Sequence, residues 1–172
     1  MWKLHSLRKL ITQAVPALAT NPENLIVTAS GGKAVSTSAG SLSFEYSYTI
    51  DIAVLDYTGH TDALFVPLLA WLRVHQHEVL ANPASQAGGL QFNVELLNTA
   101  AADVGIRVPV TERVIVKPTP GHATQLTCEH PPEPAVIGTT TMAEHWELWL
   151  RDKKLCEWDI APPPEVARFD LL

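Results

Sequence analysis

The chain has 172 residues, 47% hydrophobic and 17% charged, with a formal net charge of -6; this fits a globular protein with one core domain, an appendage and an assembly-prone surface. Twelve basic residues against eighteen acidic ones argue against broad binding to nucleic-acid phosphates, and the densest basic group, Arg151, Lys153 and Lys154, reads as a solvated turn. No apolar run reaches the ~20 residues of a membrane span, and residues 1–18 are punctuated by Lys3, His5, Arg8, Lys9 and Gln13, unlike a secretory signal.

Leu7, Leu10, Ile11, Ala14, Val15 and Leu18 form the stripe of a helix over Ser6 to Leu18, which Pro16 and Asn21-Pro22 help to end. Leu25 to Ala29 reads as a strand, Gly31-Gly32-Lys33 as a tight reversal and Ala34 to Thr37 as its weaker partner, with a flexible Ser/Gly/Ala-rich edge from Ser36 to Ser41. Leu42, Phe44, Tyr46, Tyr48, Ile50, Ile52 and Val54 then alternate with polar residues, the period of a strand with one buried face. Tyr46 and Tyr48 are expected in the core. A turn at Asp56 to Asp62, with Thr61 or Asp62 as helix cap, leads into a helix whose face carries Leu64, Leu68, Trp71 and Leu72. Pro67 predicts either a kink or the start of the regular part of that helix. Asn82-Pro83 and Gly88-Gly89 bracket a loop, after which Leu90 to Leu97 and Asp103 to Lys117 read as strands.

The predicted order over residues 1–117 is α-β-β-β-α-β-β, an α+β fold with two helices packed on one face of a mainly antiparallel sheet. Pro118, Pro120, Pro131, Pro132 and Pro134 predict a proline-rich linker over 118–142. Residues 143–172 read as a β-hairpin and C-terminal extension, with strands at Glu144 to Arg151 and Leu155 to Asp159 and with Pro162-Pro163-Pro164 beyond. A two-stranded hairpin is marginal alone, so Trp146, Trp149 and Trp158, with Phe169 in the extension, are candidate interface anchors. Deleting Ala135 to Leu172 is expected to leave the first domain folded.

Walker-type, dinucleotide, Gly-x-Ser-x-Gly and His-Glu-x-x-His motifs do not occur. His75 and His77, followed by Glu78, lie two apart on a helix, point to opposite sides, and read as exposed helix-end histidines. Asp56 and Asp62 could pair as catalytic carboxylates, but turn and cap chemistry explains both. Cys128, Glu129 and His130 place a thiol beside a base in a segment without the rigid support that nucleophilic catalysis needs. Cys128 and Cys156 also lack ligand spacing, so both read as reduced thiols.

The order of residues in LSFEYSYTIDIAVLDYTGHTDALFVPLLAWLR, with NPENL before it and VPVTERVIV after it, resembles the tail completion protein R family of contractile-tailed temperate bacteriophages. The similarity runs with gaps from about Ser6 to Val116 and resumes at HWELWLRDKKLCEWD. It implies a tail-terminator-like domain and a virion structural protein that caps the tail tube as a hexameric ring and prepares head–tail joining. The implied partners are the tail tube protein, head completion or connector proteins and the tail sheath. DNA would pass through the channel without specific binding, helped by the acidic balance. No membrane, cofactor, metal or catalytic residue is implied, and the address is the virion tail, with host cytoplasm during assembly. The rival reading, a small metal-dependent or nucleic-acid-processing enzyme using His75, His77, Asp56 or Asp62, has no motif behind it.

Overall fold

The computed structural model describes residues 1–36, 40–81, 89–134 and 143–160. Helix α1 (Trp2–Ala14) starts earlier than the apolar stripe suggests, and Pro16 separates it from the short α2 (Ala17–Thr20) and a 3-10 turn at Pro22–Asn24. Strand β1 (Leu25–Ser36) is followed by β2 (Phe44–Tyr57), α3 (Asp62–His75), α4 (His77–Ala81), β3 (Gln91–Leu96) and β4 (Ala102–Pro118). Then come β5 (Leu126–Glu129), β6 (Glu144–Leu150) and β7 (Lys153–Ile160). The fold is α+β: the main sheet has the order β1-β2-β4-β3, every neighbouring pair is antiparallel, and β5 pairs with the end of β4.

Two local expectations are corrected. Gly31-Gly32-Lys33 does not reverse the chain; β1 is one strand with a bulge, because Ser30 pairs with Thr49 and Lys33 with Ser47, leaving one extra residue on β1. Gly31 absorbs that residue at φ 61, a conformation glycine adopts without a side-chain penalty. The first part of the expected linker is also ordered. Pro118 ends β4, Gly121 turns the chain at φ 79, Thr119 N–H donates to the Gln125 carbonyl at 2.9 Å, and β5 returns along β4. The expected flexible edge falls partly outside the described residues, as do the end of the expected linker and the extension with Phe169.

The long strands carry the core. Tyr48, Ile50, Ile52 and Val54 of β2 and Val104, Ile106, Val108 and Val110 of β4 are buried under Leu7, Leu10 and Ile11 of α1 and Leu64, Leu68 and Leu72 of α3. Tyr46 is half-buried against the same core. Helix α3 runs through Pro67, which is itself buried. The hairpin β6–β7 is not detached: β7 packs against α1 and α3, and Cys156, Trp158 and Ile160 belong to the same core.

Pairing of β3 with β4 stops at Arg107. Thr111, two residues after Pro109, donates its N–H to the Gln76 side chain and so faces away from β2. Pro109 faces the same edge and has no N–H to offer a strand there.

Candidate functional site

Two features stand out, a buried polar cluster that locks the N-terminal helix and a set of exposed apolar residues at the sheet edge and on the hairpin. The cluster begins with Glu112, which sits at a core-facing position of β4 between buried Val110 and Val114. Its carboxylate accepts the backbone N–H groups of Trp2 at 3.1 Å and Lys3 at 3.0 Å, taking up donors that the first turn of α1 leaves orphaned. The Tyr48 hydroxyl donates to the same carboxylate, and His130 Nδ1 lies 3.9 Å from it.

Lys3 is buried beside it, its ammonium donating to Gln76 Oε1 and to Glu133 Oε1, both at 2.8 Å. Gln76, the C-cap residue of α3, in turn accepts the Thr111 N–H at 3.0 Å and donates to Thr111 Oγ1 at 3.3 Å. Burial pulls the Lys3 pKa below its ordinary value, opposed by Glu133. Burial also raises the Tyr48 hydroxyl, with Glu112 adding to the shift. Five segments of the chain are therefore tied at one point: the start of α1, β2, the end of α3, β4 and the strap at residues 130–133. Glu112, Lys3, Gln76 and Tyr48 are each committed to one another or to the backbone, so the cluster builds the fold.

The sequence-predicted histidines separate. His75 is not an exposed helix end; it is 6% exposed, edge-on to Trp2 at 5.1 Å and beside Trp71 at 5.0 Å between ring centroids. Its Nδ1 is buried without a hydrogen-bond partner, and burial, helped by the Lys3 charge, pushes its pKa down to about 3. His77 is half-buried and Glu78 exposed on the next helix.

A histidine whose folded pKa lies below its unfolded value makes stability fall as pH drops, because only the unfolded chain takes the proton. The window opens near the ordinary histidine value of 6.5 and closes near 3. Within it, His75 is expected to remove up to about 1.4 kcal/mol of stability per pH unit. His75→Phe should flatten that slope in urea unfolding between pH 7 and pH 4; an unchanged slope would assign the acid sensitivity elsewhere.

Asp56 and Asp62 do turn chemistry. Asp56 occupies a second bulge, where Val54 pairs with Val104 and Tyr57 with Ala102; its φ is 50 and its N–H donates to Asp103 Oδ1 at 2.9 Å. Neither Thr61 nor Asp62 caps α3 with its side chain. His60 does so instead, its Nδ1 accepting the Asp62 N–H at 3.2 Å, while the Tyr57 hydroxyl donates to the His60 carbonyl at 2.8 Å. Tyr57 lies over Gly59, where an added Cβ would sit 2.5 Å from its hydroxyl oxygen. The open cleft beside this turn, about 310 Å³, is bounded by Pro16, Asn21, Asp56, Tyr57, His60 and Leu155. Among Cys128, Glu129 and His130, the glutamate is held by Lys117 at 2.8 Å and the histidine lies toward Glu112, so no thiol–base pair forms.

The tryptophans of the hairpin also divide. Trp158 is 3% exposed, a core residue and not an interface anchor, because β7 is the strand that faces the helices. Trp146 and Trp149 on β6 are 49% and 52% exposed, their indole N–H groups donating to Glu144 and Glu147. His145, Glu147 and Glu157 converge nearby with ligand atoms within 4.8 Å, but Lys154 already donates to both glutamates and His145 is bound to Asp159.

The exposed residues that pattern reading missed are on β3, all six of whose positions are exposed. Phe92, Val94 and Leu96 line its helix-side face, with Phe65 of α3 packed edge-on against Phe92 at 4.9 Å. The signal was available as an alternation from Phe92 to Leu96, but it does not say whether a strand's apolar face is covered.

The sequence family described as P2 phage tail completion protein R (GpR) matches residues 1–134. The Tail completion protein R of Escherichia phage P2 is 36% identical over 161 residues, which span 92% of this chain and 99% of that protein. No solved structure matches the chain.

Proposed function

The chain belongs to the family of the P2 phage tail completion protein R, whose role is structural, in completing the virion tail, and we propose that it does so by closing the upper end of the tail tube as a ring of six copies. The observation that carries this reading is the similarity to a tail completion protein along 92% of the chain. Its neighbours are then the last ring of tube subunits on one face and the head connector proteins on the other, with the sheath alongside. A ring of identical copies needs heterologous contacts, in which two different patches of one subunit meet. The exposed Trp146, Trp149 and Leu150 of the hairpin supply an apolar surface for contacts with tail or head proteins. The net charge of -6 supports a channel that lets DNA pass without holding it.

The test is to add purified protein to growing tail tubes and to image their ends. Arrested elongation with a ring at one end is the expected result. Tubes that keep growing with bare ends would remove the capping role.

A further inference from the structure

The main sheet has two open edges. Among the described residues, β1 pairs only with β2 and β3 only with β4, so one flank of each strand is left without a ladder. We infer that these edges are made for each other: the β3 edge of one copy pairs with the β1 edge of the next, so that the sheet runs on from subunit to subunit around the ring. The inference rests on the ring reading above and adds to it the contact that builds the ring.

Four observations carry it. The first is direction. Along the order β1-β2-β4-β3 every step is antiparallel, so β1 and β3 point opposite ways. A second copy brought alongside by rotation about an axis along the strands therefore presents β1 antiparallel to β3.

The second is length. β3 has six residues, Gln91–Leu96, and the regular part of β1 before its bulge, Leu25 to Ser30, also has six. The bulge at Gly31 ends the flat stretch where a partner strand can lie.

The third is pattern. On β3, Phe92, Val94 and Leu96 face the helix side and Gln91, Asn93 and Glu95 the other. On β1, Leu25, Val27 and Ala29 pair with core-facing Val54, Ile52 and Ile50, while Ile26, Thr28 and Ser30 face outward. Antiparallel registers that keep these faces together join apolar to apolar on the helix side and, apart from Ile26, polar to polar on the other. A six-residue edge strand with Phe92 and Leu96 62% and 79% exposed is a liability in an isolated protein, and pairing removes it.

The fourth is charge. Glu95 lies directly opposite Asp103 across β3 and β4, and neither has a cationic partner among the described residues. Like charges so placed repel and favour a basic neighbour. The β1 edge supplies one at the end that an antiparallel partner sets beside Glu95: Arg8 of α1 donates to the Leu25 carbonyl at 3.1 Å, and β1 contains no acid.

The test uses two full-length double variants at exposed positions, Glu95→Lys with Leu96→Lys on β3, and Ile26→Glu with Lys33→Glu on β1. Their thermal midpoints, compared with the parent, establish that both are folded. Self-association is measured by sedimentation in solution and by ring formation on added tail tubes. Each variant alone is expected to lose ring formation at least ten-fold. An equimolar mixture should regain it, because each brings the edge the other lacks and the two altered edges again carry opposite charge. Rings that survive in both variants, or failure of the mixture to recover, would overturn the edge pairing and leave the ring itself standing. A parent chain that forms no ring in either setting would overturn the ring reading, and the edge pairing with it.

Discussion

Replacing Glu112 with alanine is expected to lower folding stability by about 3–5 kcal/mol, because one carboxylate accepts from three donors at once. The carboxylate is buried and serves the N–H groups of Trp2 and Lys3 together with the Tyr48 hydroxyl. Alanine would leave those donors without an acceptor in a site too enclosed for easy hydration, at about 1–3 kcal/mol for each one left buried and unsatisfied. It would also leave the Lys3 ammonium short of one of its two nearby negative charges, with Glu133 alone remaining. Glu112→Gln keeps one acceptor oxygen and the side-chain shape, so it should lose less, roughly 1–2 kcal/mol. Tyr48→Phe, which removes one donor and frees the carboxylate for the helix, should cost about 1 kcal/mol. Urea unfolding followed by circular dichroism measures all three. An alanine variant within ~0.5 kcal/mol of the parent, the range of ordinary surface substitutions, would mean that the cluster does not hold the N-terminal helix.

That cluster also marks where sequence reading succeeds and where it stops. Period-two alternation predicted β2 and the core part of β4, and the change to helical period predicted α3, because each element's burial follows from its own repeat. Glu112 breaks the repeat at a buried position between Val110 and Val114, and Lys3 does the same at the head of the stripe Lys3, Leu7, Leu10, Ala14. A charge at a core-facing position is a legible sign of a buried partner. Which partner it meets is not legible, since Glu112 takes the backbone N–H of Lys3 from 109 residues away and the Lys3 ammonium takes Glu133 from 130 residues away.

Gly31-Gly32 shows the same limit locally. Two glycines permit a reversal and a bulge equally, and the pairing of the twelve-residue β1 with β2 on both sides of the glycines decides for the bulge. His75 was misplaced because helix position alone does not reveal that Trp2, from the other helix, closes over it. For the candidate interface anchors, composition does not separate Trp146 and Trp149, which are exposed, from Trp158, which is buried in the core.

Truncating Trp158 to alanine is expected to cost about 3–5 kcal/mol, the usual penalty for emptying a core aromatic site, and to do so within a single cooperative transition. Its side chain is 3% exposed and packs with Cys156 and Ile160 in the core shared with α1 and α3. Whole domains are stable by only about 5–15 kcal/mol, so deleting 135–172, which removes all three side chains at once, should leave residues 1–134 without cooperative unfolding. This reverses the expectation from sequence, where proline spacing suggested an independent appendage.

Trp158→Phe separates packing from polarity. The indole Nε1 is buried without a partner, a burden of roughly 1–3 kcal/mol that phenylalanine does not carry; the smaller ring should therefore lose little, within about 1 kcal/mol of the parent. Trp146→Ala and Trp149→Ala, on the exposed strand, should change stability by no more than ~0.5 kcal/mol while weakening attachment to tail ends. Near-UV circular dichroism during thermal unfolding distinguishes the cases. A second, separate transition for the hairpin in the parent chain, or a Trp158→Ala variant as stable as Trp146→Ala, would show that the hairpin is an independent unit after all.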